Sequence, residues 1–235
     1  MVNESNSLNA PDDLAKIKDA NRGTILVCFA VKQEAKAFEK LVAADRRINV
    51  LITGIGAGNA RASLRNLLAK ARPTLVVSAG FAGGLRSELN SGTVLFDVVK
   101  ETGLEAPLLA AGARPATFHC ADRIASTAEQ KRALRQSSKT DAVEMESAIL
   151  CGICRSEKIP AATIRVVLDT ADEDLPLAFN RFMTRDERMN YLALAAALMR
   201  TPGKVAALLR LQKRSAMAAE KLAQVLLKVL QKPSR

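Results

Sequence analysis

Five short apolar runs rich in β-forming residues recur along this chain, each set off from the next by a turn or by a stretch with helical spacing. They are Thr24–Val31, Ile48–Thr53, Thr74–Ser78, Thr93–Val99 and Ala162–Leu168. Helical patterns fill Lys32–Ala43, Asn59–Ala71 and Met145–Lys158, and Ser126-Thr127-Ala128-Glu129 reads as a capping box opening a further helix to about Gln136. Asp141–Val143 reads as a short strand, and Gly80–Gly84 as a glycine-rich turn. This alternation predicts an α/β domain, a sheet covered by helices on both faces. Ligands of such sheets gather beyond the C-terminal ends of the strands, so residues just after strands are the candidates for function.

The length of 235 residues suits one domain. Residues 1–22 form a polar leader, and residues 23–235 form the domain, ending in a basic helical segment from about residue 200. The leader has no apolar core for a secretion signal. The strongly apolar stretches, such as Tyr191–Met199, fall short of the roughly 18–20 residues a membrane span requires. These features predict a cytoplasmic protein with reduced cysteines. Aromatic residues make up 3% of the chain, too few for a groove that stacks single-stranded bases.

Several motifs fail as sites. Gly54-x-Gly56-x-Gly58 puts Asn59 where a dinucleotide fingerprint needs its third glycine, and no acidic residue follows about 20 positions later. The turn can still offer backbone N–H groups to an anion or water. Cys151 and Cys154 lie three apart in an apolar helix, with no second ligand pair from Cys28, Cys120 or His119, so they read as core and no metal is expected. His119 is the sole histidine, has no nucleophile elbow beside it and reads as structural. Three acids are more informative: Glu34 after the first strand, Glu146 at a strand-to-helix junction, and Asp169 at the end of Ala162–Leu168. Each alone is explained by capping or solvation, yet on three strands of one sheet they have the means to converge on one pocket.

Taken together, five segments resemble the nucleoside phosphorylase and nucleosidase superfamily. They are Phe29-Ala30-Val31-Lys32-Gln33-Glu34-Ala35, Thr53-Gly54-Ile55-Gly56, Ser78-Ala79-Gly80-Phe81-Ala82-Gly83-Gly84-Leu85, Ala142-Val143-Glu144-Met145-Glu146-Ser147 and Arg165-Val166-Val167-Leu168-Asp169-Thr170-Ala171-Asp172. Within the family the chain looks most like the hopanoid-associated phosphorylases, through Asp172-Glu173-Asp174-Leu175-Pro176 and the helical tail, with the methylthioadenosine/S-adenosylhomocysteine nucleosidases close by. The resemblance implies a single domain with a central mixed sheet, cleavage of a purine N-glycosidic bond, no cofactor beyond inorganic phosphate as a co-substrate, and a homo-oligomer, with a dimer favoured. It implies adenosylhopane, in hopanoid biosynthesis, as the 5′-substituted adenosine cleaved.

Residue by residue, Asp169 matches the family's acid for purine N7, and Glu34 the group that orients the attacking water. Glu146 matches the carboxylate for the ribose hydroxyls, with Met145 beneath the sugar. Gly80, Phe81 and Ile124 would line the purine, and Gly54, Ile55 and Gly56 the phosphate or water side. Glu144 takes a lesser role. Two departures stand out. Leu168 precedes the acid where nucleosidases carry Ser, so support for Asp169 must come from elsewhere. Ser78 stands where many phosphorylases carry a phosphate-binding Arg, with Arg61 and Arg86 as substitutes, which leaves hydrolysis and phosphorolysis both open.

Residues 200–235 hold nine Lys or Arg and one Glu, with apolar residues at helical spacing. The segment reads first as a core helix with a solvated basic face. Its second reading is a helix drawn to anionic lipid. Nonspecific nucleic-acid binding has the charge but no recognition motif. A noncatalytic basic module is the alternative to an enzyme.

Overall fold

The computed structural model describes residues 23–98, 100–184, 190 and 202–231. The leader and the stretch Tyr191–Met199 lie outside them. Eight strands form one mixed sheet: β1 Ile25–Phe29, β2 Ile48–Ile52, β3 Leu75–Gly84, β4 Val94–Val98, β5 Arg114–Pro115, β6 Phe118–Cys120, β7 Ala142–Glu144 and β8 Ala161–Asp169. The main path runs β2-β1-β3-β8-β4-β5, and β7 joins the far end of β3, with β6 beside it. β1, β2, β3 and β8 run parallel, while β4 on β8 and β7 on β3 are antiparallel.

Among the described residues six helices flank the sheet: α1 Lys32–Val42, α2 Gly56–Leu68, α3 Glu105–Ala110, α4 Ala128–Ser138, α5 Ser147–Ser156 and α6 Val205–Leu230. Side chains alternate across a strand, and both faces of this sheet are covered, so the central strands β1, β3 and β8 are mostly apolar and buried, with Ser78, Thr163, Arg165 and Asp169 as buried polar exceptions. Val27 and Phe29 face Phe38 of α1, Leu108 of α3 and Leu222 and Leu226 of α6. Leu26 and Cys28 face Leu64 of α2 and Leu150 and Cys154 of α5. The cysteines of the C-x-x-C pair are free, with Cys154 buried in that core.

Four expectations are corrected. Gly80–Gly84 is the second half of β3 rather than a turn. Its glycines leave room for side chains that close on the backbone. α2 begins at Gly56, three residues early, because a carboxylate from elsewhere in the chain receives its first N–H (below). The capping box of α4 is one residue on, with Thr127 as the cap and Gln130 reaching back. α5 begins at Ser147, since Glu144 caps it and keeps Met145 and Glu146 out of the helix.

The basic tail is a core helix over most of its length. Leu211, Ala218, Ala219, Leu222, Ala223, Val225, Leu226, Val229 and Leu230 of α6 are buried. Among the described helices none is long and apolar enough to cross a membrane.

Candidate active site

The loop from β1 into α1 places Glu34 in the first helical turn, where its side chain folds back on the chain. Oε2 accepts the N–H groups of Ala30 at 3.1 Å and Val31 at 3.2 Å, the reciprocal half of a helix N-terminal box. Oε1 accepts the N–H of Phe81 on β3 at 2.8 Å. A Cβ on Gly80 would stand 2.8 Å from Oε1, so only glycine lets the carboxylate this close to the strand. Burial raises the Glu34 pKa, against the lowering effect of the three N–H groups and of Arg165. Ala30 also accepts the N–H of Gly54 at 3.1 Å, which sets the Gly54–Gly56 turn beside Glu34. Gly54 and Gly56 take φ of +85° and +83°, a left-handed backbone that glycine adopts without strain.

Arg165, in the middle of β8, is the centre of a second group. Nη2 donates to Glu144 at 2.6 Å and to Ser78 Oγ at 2.9 Å, and lies 4.0 Å from Glu146 Oε2. Nε and Nη1 find no hydrogen-bond partner among the described residues. Glu144 has two tasks. It holds Arg165, and it accepts the N–H groups of Glu146 at 3.0 Å and Ser147 at 2.8 Å, with Ser147 Oγ at 2.7 Å. Burial alone would raise its pKa; the charge and hydrogen bond of Arg165, together with the hydrogen bonds from Ser147, outweigh burial and hold it low. Glu146 accepts the N–H of Gly56 at 2.8 Å. Burial pushes its pKa up to about 7, with Glu144 and Glu34 adding to the rise and Arg165 opposing it.

Asp169 ends β8 opposite Gly83, where a Cβ would lie 3.4 Å from Oδ2. Its partner is Lys131 of α4, which forms an ion pair with Oδ2 and is 0% exposed. Burial raises the Asp169 pKa in spite of that cation. Lys131 thus gives the Asp169 carboxylate a polar contact, which the apolar side chain of Leu168 does not.

β3 joins the three corners. Ser78 touches Arg165, Gly80 and Phe81 meet Glu34, and Gly83 meets Asp169, along about 16 Å of one strand. The three acids singled out in the sequence thus stand on one stretch of sheet, together with Gly54, Gly56, Gly80 and Phe81. Ile55, Met145 and Phe81 are half-buried beside them. The backbone of Ile124 is taken by a side chain: its N–H goes to Asn180 Oδ1 at 3.0 Å, and its C=O accepts from Asn180 Nδ2 at 2.8 Å. The substitutes considered for a phosphate clamp stand apart. Arg86 pairs with Glu88 and Asp141 at the surface, and Arg61 is exposed on α2.

Sequence reasoning gave no role to Lys131, Arg165 or Asn180. A lone charge inside the apolar run Ala162–Leu168 was the available signal for Arg165. Lys131 sits in a polar helix with two other cations, and nothing in the pattern marks it. Among the described residues no group of three or more His, Cys, Asp or Glu is arranged to hold a metal.

Residues 97–200 match the model of the phosphorylase superfamily. The 5′-methylthioadenosine/S-adenosylhomocysteine nucleosidase of Haemophilus ducreyi is 29% identical over 171 residues, 58% of this chain and 73% of that protein. The same nucleosidase of Glaesserella parasuis is 26% identical over 58% of this chain and 74% of its own. Among solved structures, the Campylobacter jejuni 5′-methylthioadenosine/S-adenosyl homocysteine nucleosidase superposes with a TM-score of 0.65 at 16% identity, covering 88% of this chain and 98% of that one. The futalosine hydrolase of Helicobacter pylori gives 0.63 at 16%, with 88% and 97% covered. The mixed sheet flanked by helices is the fold these structures share with this chain.

Proposed function

We propose that this chain is an enzyme of the nucleosidase and phosphorylase superfamily that hydrolyses a 5′-substituted adenosine and releases adenine. The observation that carries the reading is the acidic pocket around Arg165, in which one buried guanidinium faces Glu144, Glu146 and, across β3, Glu34. An oxocarbenium-like sugar is cationic, and carboxylates nearby stabilise it. Inorganic phosphate is an anion, and three carboxylates to one guanidinium oppose its entry. Ser78, where a phosphate clamp would stand, is held by Arg165 instead. Water is the better-matched nucleophile, and the relatives named above are nucleosidases.

In this mechanism Glu146 accepts hydrogen bonds from the ribose hydroxyls, and Met145 packs beneath the sugar. Gly80, Phe81 and Ile124 line the purine. A carboxylate has about four lone-pair directions. Three N–H groups occupy three of those on Glu34, which leaves one for water. The free Nε and Nη1 of Arg165 donate to the same water, which also meets the Gly54–Gly56 turn. The water oxygen bonds to C1′ as the bond from C1′ to N9 breaks and its electron pair enters the purine. Asp169 delivers a proton to N7, and Glu34, its basicity raised by burial, takes the proton the water loses.

The relatives' names support a small thioether as the 5′ group. Adenosylhopane, suggested by the sequence resemblance, is the second substrate of this reading, and nothing in the geometry favours it. A homo-oligomer, with a dimer favoured, and contact of the basic segment with anionic membrane complete the reading. Burial of the apolar residues of α6 weighs against that contact. A panel of 5′-substituted adenosines, with and without phosphate, tests the proposal. Adenine with the free 5-substituted ribose, independent of phosphate, is the expected product pair. The 1-phosphate of that sugar would make the enzyme a phosphorylase, and no adenine from any substrate would end the reading.

A further inference from the structure

We propose that Asn180 is an internal competitor for the base: its carboxamide holds the backbone edge of Ile124 in the free enzyme, leaves when adenine enters, and returns to that edge as adenine departs. The inference rests on the reading above, in which Ile124 lines the purine. Asn180 lies in the 3₁₀ turn Phe179–Phe182, 56 positions along the chain from Ile124. Its Oδ1 accepts the Ile124 N–H at 3.0 Å, and its Nδ2 donates to the Ile124 C=O at 2.8 Å. These partners fix which end of the carboxamide is which, because a backbone N–H only donates and a carbonyl oxygen only accepts.

A base bound at this edge must offer the same two groups, an acceptor beside a donor. Adenine has them in its 6-amino group and the ring nitrogens that flank it. Asp169 takes N7 in the reading above, so N1 and the amino group are left for Ile124. The Ile124 N–H has one proton to share, and Asn180 and the base compete for it.

Fastening of the loop after β8 does not require this contact. Lys131 takes the Thr170 and Glu173 carbonyls at 2.7 Å, and Ala128 N–H donates to Asp174 at 2.7 Å. Leu175 N–H donates to the Ser126 carbonyl at 2.8 Å, Arg214 of α6 pairs with Glu173 at 2.6 Å, and Leu177 is buried. Past Leu177, the other hydrogen bonds of Phe179–Phe182 stay within residues 177–190. Among the described residues, Asn180 is therefore the polar tie between this turn and the body of the domain. Asn180 and Ile124 are both half-buried, so each can exchange its hydrogen bonds for those of water or a ligand at small net cost. The turn can leave the Ile124 edge while the loop behind it stays fastened.

Such a contact divides the affinity of every ligand that needs the edge by the same factor, set by the fraction of molecules in which the edge is free. Ligands that do not need the edge are unaffected. Substrate and adenine are weakened alike, and inhibition by accumulated adenine is relieved.

Asn180→Ala removes the carboxamide, and Asn180→Asp keeps an acceptor for the N–H but has no donor for the C=O. Both are assayed on a 5′-substituted adenosine, with adenine and the free 5-substituted ribose in turn as inhibitors. For Asn180→Ala the inhibition constant of adenine is expected to fall about tenfold and kcat/KM to rise by the same factor, with the inhibition constant of the sugar as in the wild type. Asn180→Asp should move the first two in the same direction by less. A contact that only supports Ile124 would give the opposite sign, because a loosened edge binds adenine more weakly. Adenine inhibition that is unchanged or weaker in Asn180→Ala, or sugar inhibition that tightens as much as that of adenine, would overturn the Asn180 proposal alone. If Asn180→Ala does not fold, Asn180→Asp decides by the same constants. No adenine release by the wild type would overturn the glycosidic reading and this proposal with it.

Discussion

The backbone N–H of Gly56 donates to Glu146 Oε1 at 2.8 Å, joining residues 90 positions apart. Gly56 opens α2, so a carboxylate sits at the positive end of a helix, where negative charge is favoured. Burial still wins, and the Glu146 pKa stands at about 7. The native state therefore holds this proton more tightly than the unfolded chain does. The penalty for ionising it is absent below the ordinary value of 4.5 and complete above 7. Glu146→Gln keeps an acceptor for Gly56 without the charge. We expect the variant to melt above the wild type at pH 8 by a few degrees, since a gain of about 2 kcal/mol corresponds to roughly 4–8 °C at this size. Calorimetry at pH 8 and pH 5 checks it; the gap should shrink on acidification.

The same substitution should separate substrates by their sugar. A carboxylate that accepts from ribose hydroxyls loses its partner when those hydroxyls are absent. Glu146→Gln is expected to weaken catalysis on ribosides far more than on 2′,3′-dideoxy analogues. Equal penalties on both would remove Glu146 from ribose recognition.

Asp169→Asn should lower adenine release by about 10²–10⁴-fold, the usual range for loss of a general acid. The ion pair adds a second effect. Asparagine leaves the buried ammonium of Lys131 without its counter-charge, and breaking a buried pair from one side costs about 3–5 kcal/mol. Asp169→Asn is therefore expected to melt lower as well. Adding Lys131→Met to it should recover part of the stability and none of the activity, which a double-mutant cycle measures.

What the sequence makes legible follows from where the forces are local. β1, β2, β4 and β8 are short, mostly apolar runs, and their ends fall within a residue or two of expectation. The second half of β3 was hidden because glycine is poor in strands. At Gly80 and Gly83 its value is tertiary, giving Glu34 and Asp169 room beside the backbone. β5 and β6 hold two and three residues, too few for a pattern. Strand-end position made Glu34, Glu146 and Asp169 visible. Lys131 stayed hidden because its burial depends on the loop after β8 folding over α4.

Gly80→Ala tests whether the close approach of Glu34 to β3 has consequences for the reaction. The added methyl would meet Oε1 at 2.8 Å, and the group that must yield is the end of a side chain rather than backbone. The backbone there, at φ +156°, also disfavours a side chain, so melting should fall somewhat while the fold survives and the Glu34 carboxylate is pushed off the Phe81 N–H. We expect a far-ultraviolet circular dichroism spectrum like that of the wild type and a kcat lowered by at least tenfold. Unchanged turnover would show that the position of Glu34 does not matter to the reaction.

Asn180 makes the last prediction. Its carboxamide, an acceptor beside a donor, takes both the N–H and the C=O of Ile124. The edge of an adenine presents the same pair of groups, a ring nitrogen that accepts and an amino group that donates. If the purine is lined by Ile124, base and side chain compete for one backbone edge. Each hydrogen bond contributes about 1 kcal/mol net, so two in competition are worth roughly 2 kcal/mol. Asn180→Ala is then expected to lower the Kd for adenine by about tenfold or more, while Asn180→Asp, which has no donor for the Ile124 carbonyl, should lower it by less. Titration calorimetry with free adenine reads both directly. An affinity for adenine that is unchanged or weakened in Asn180→Ala would mean that the base does not displace this side chain.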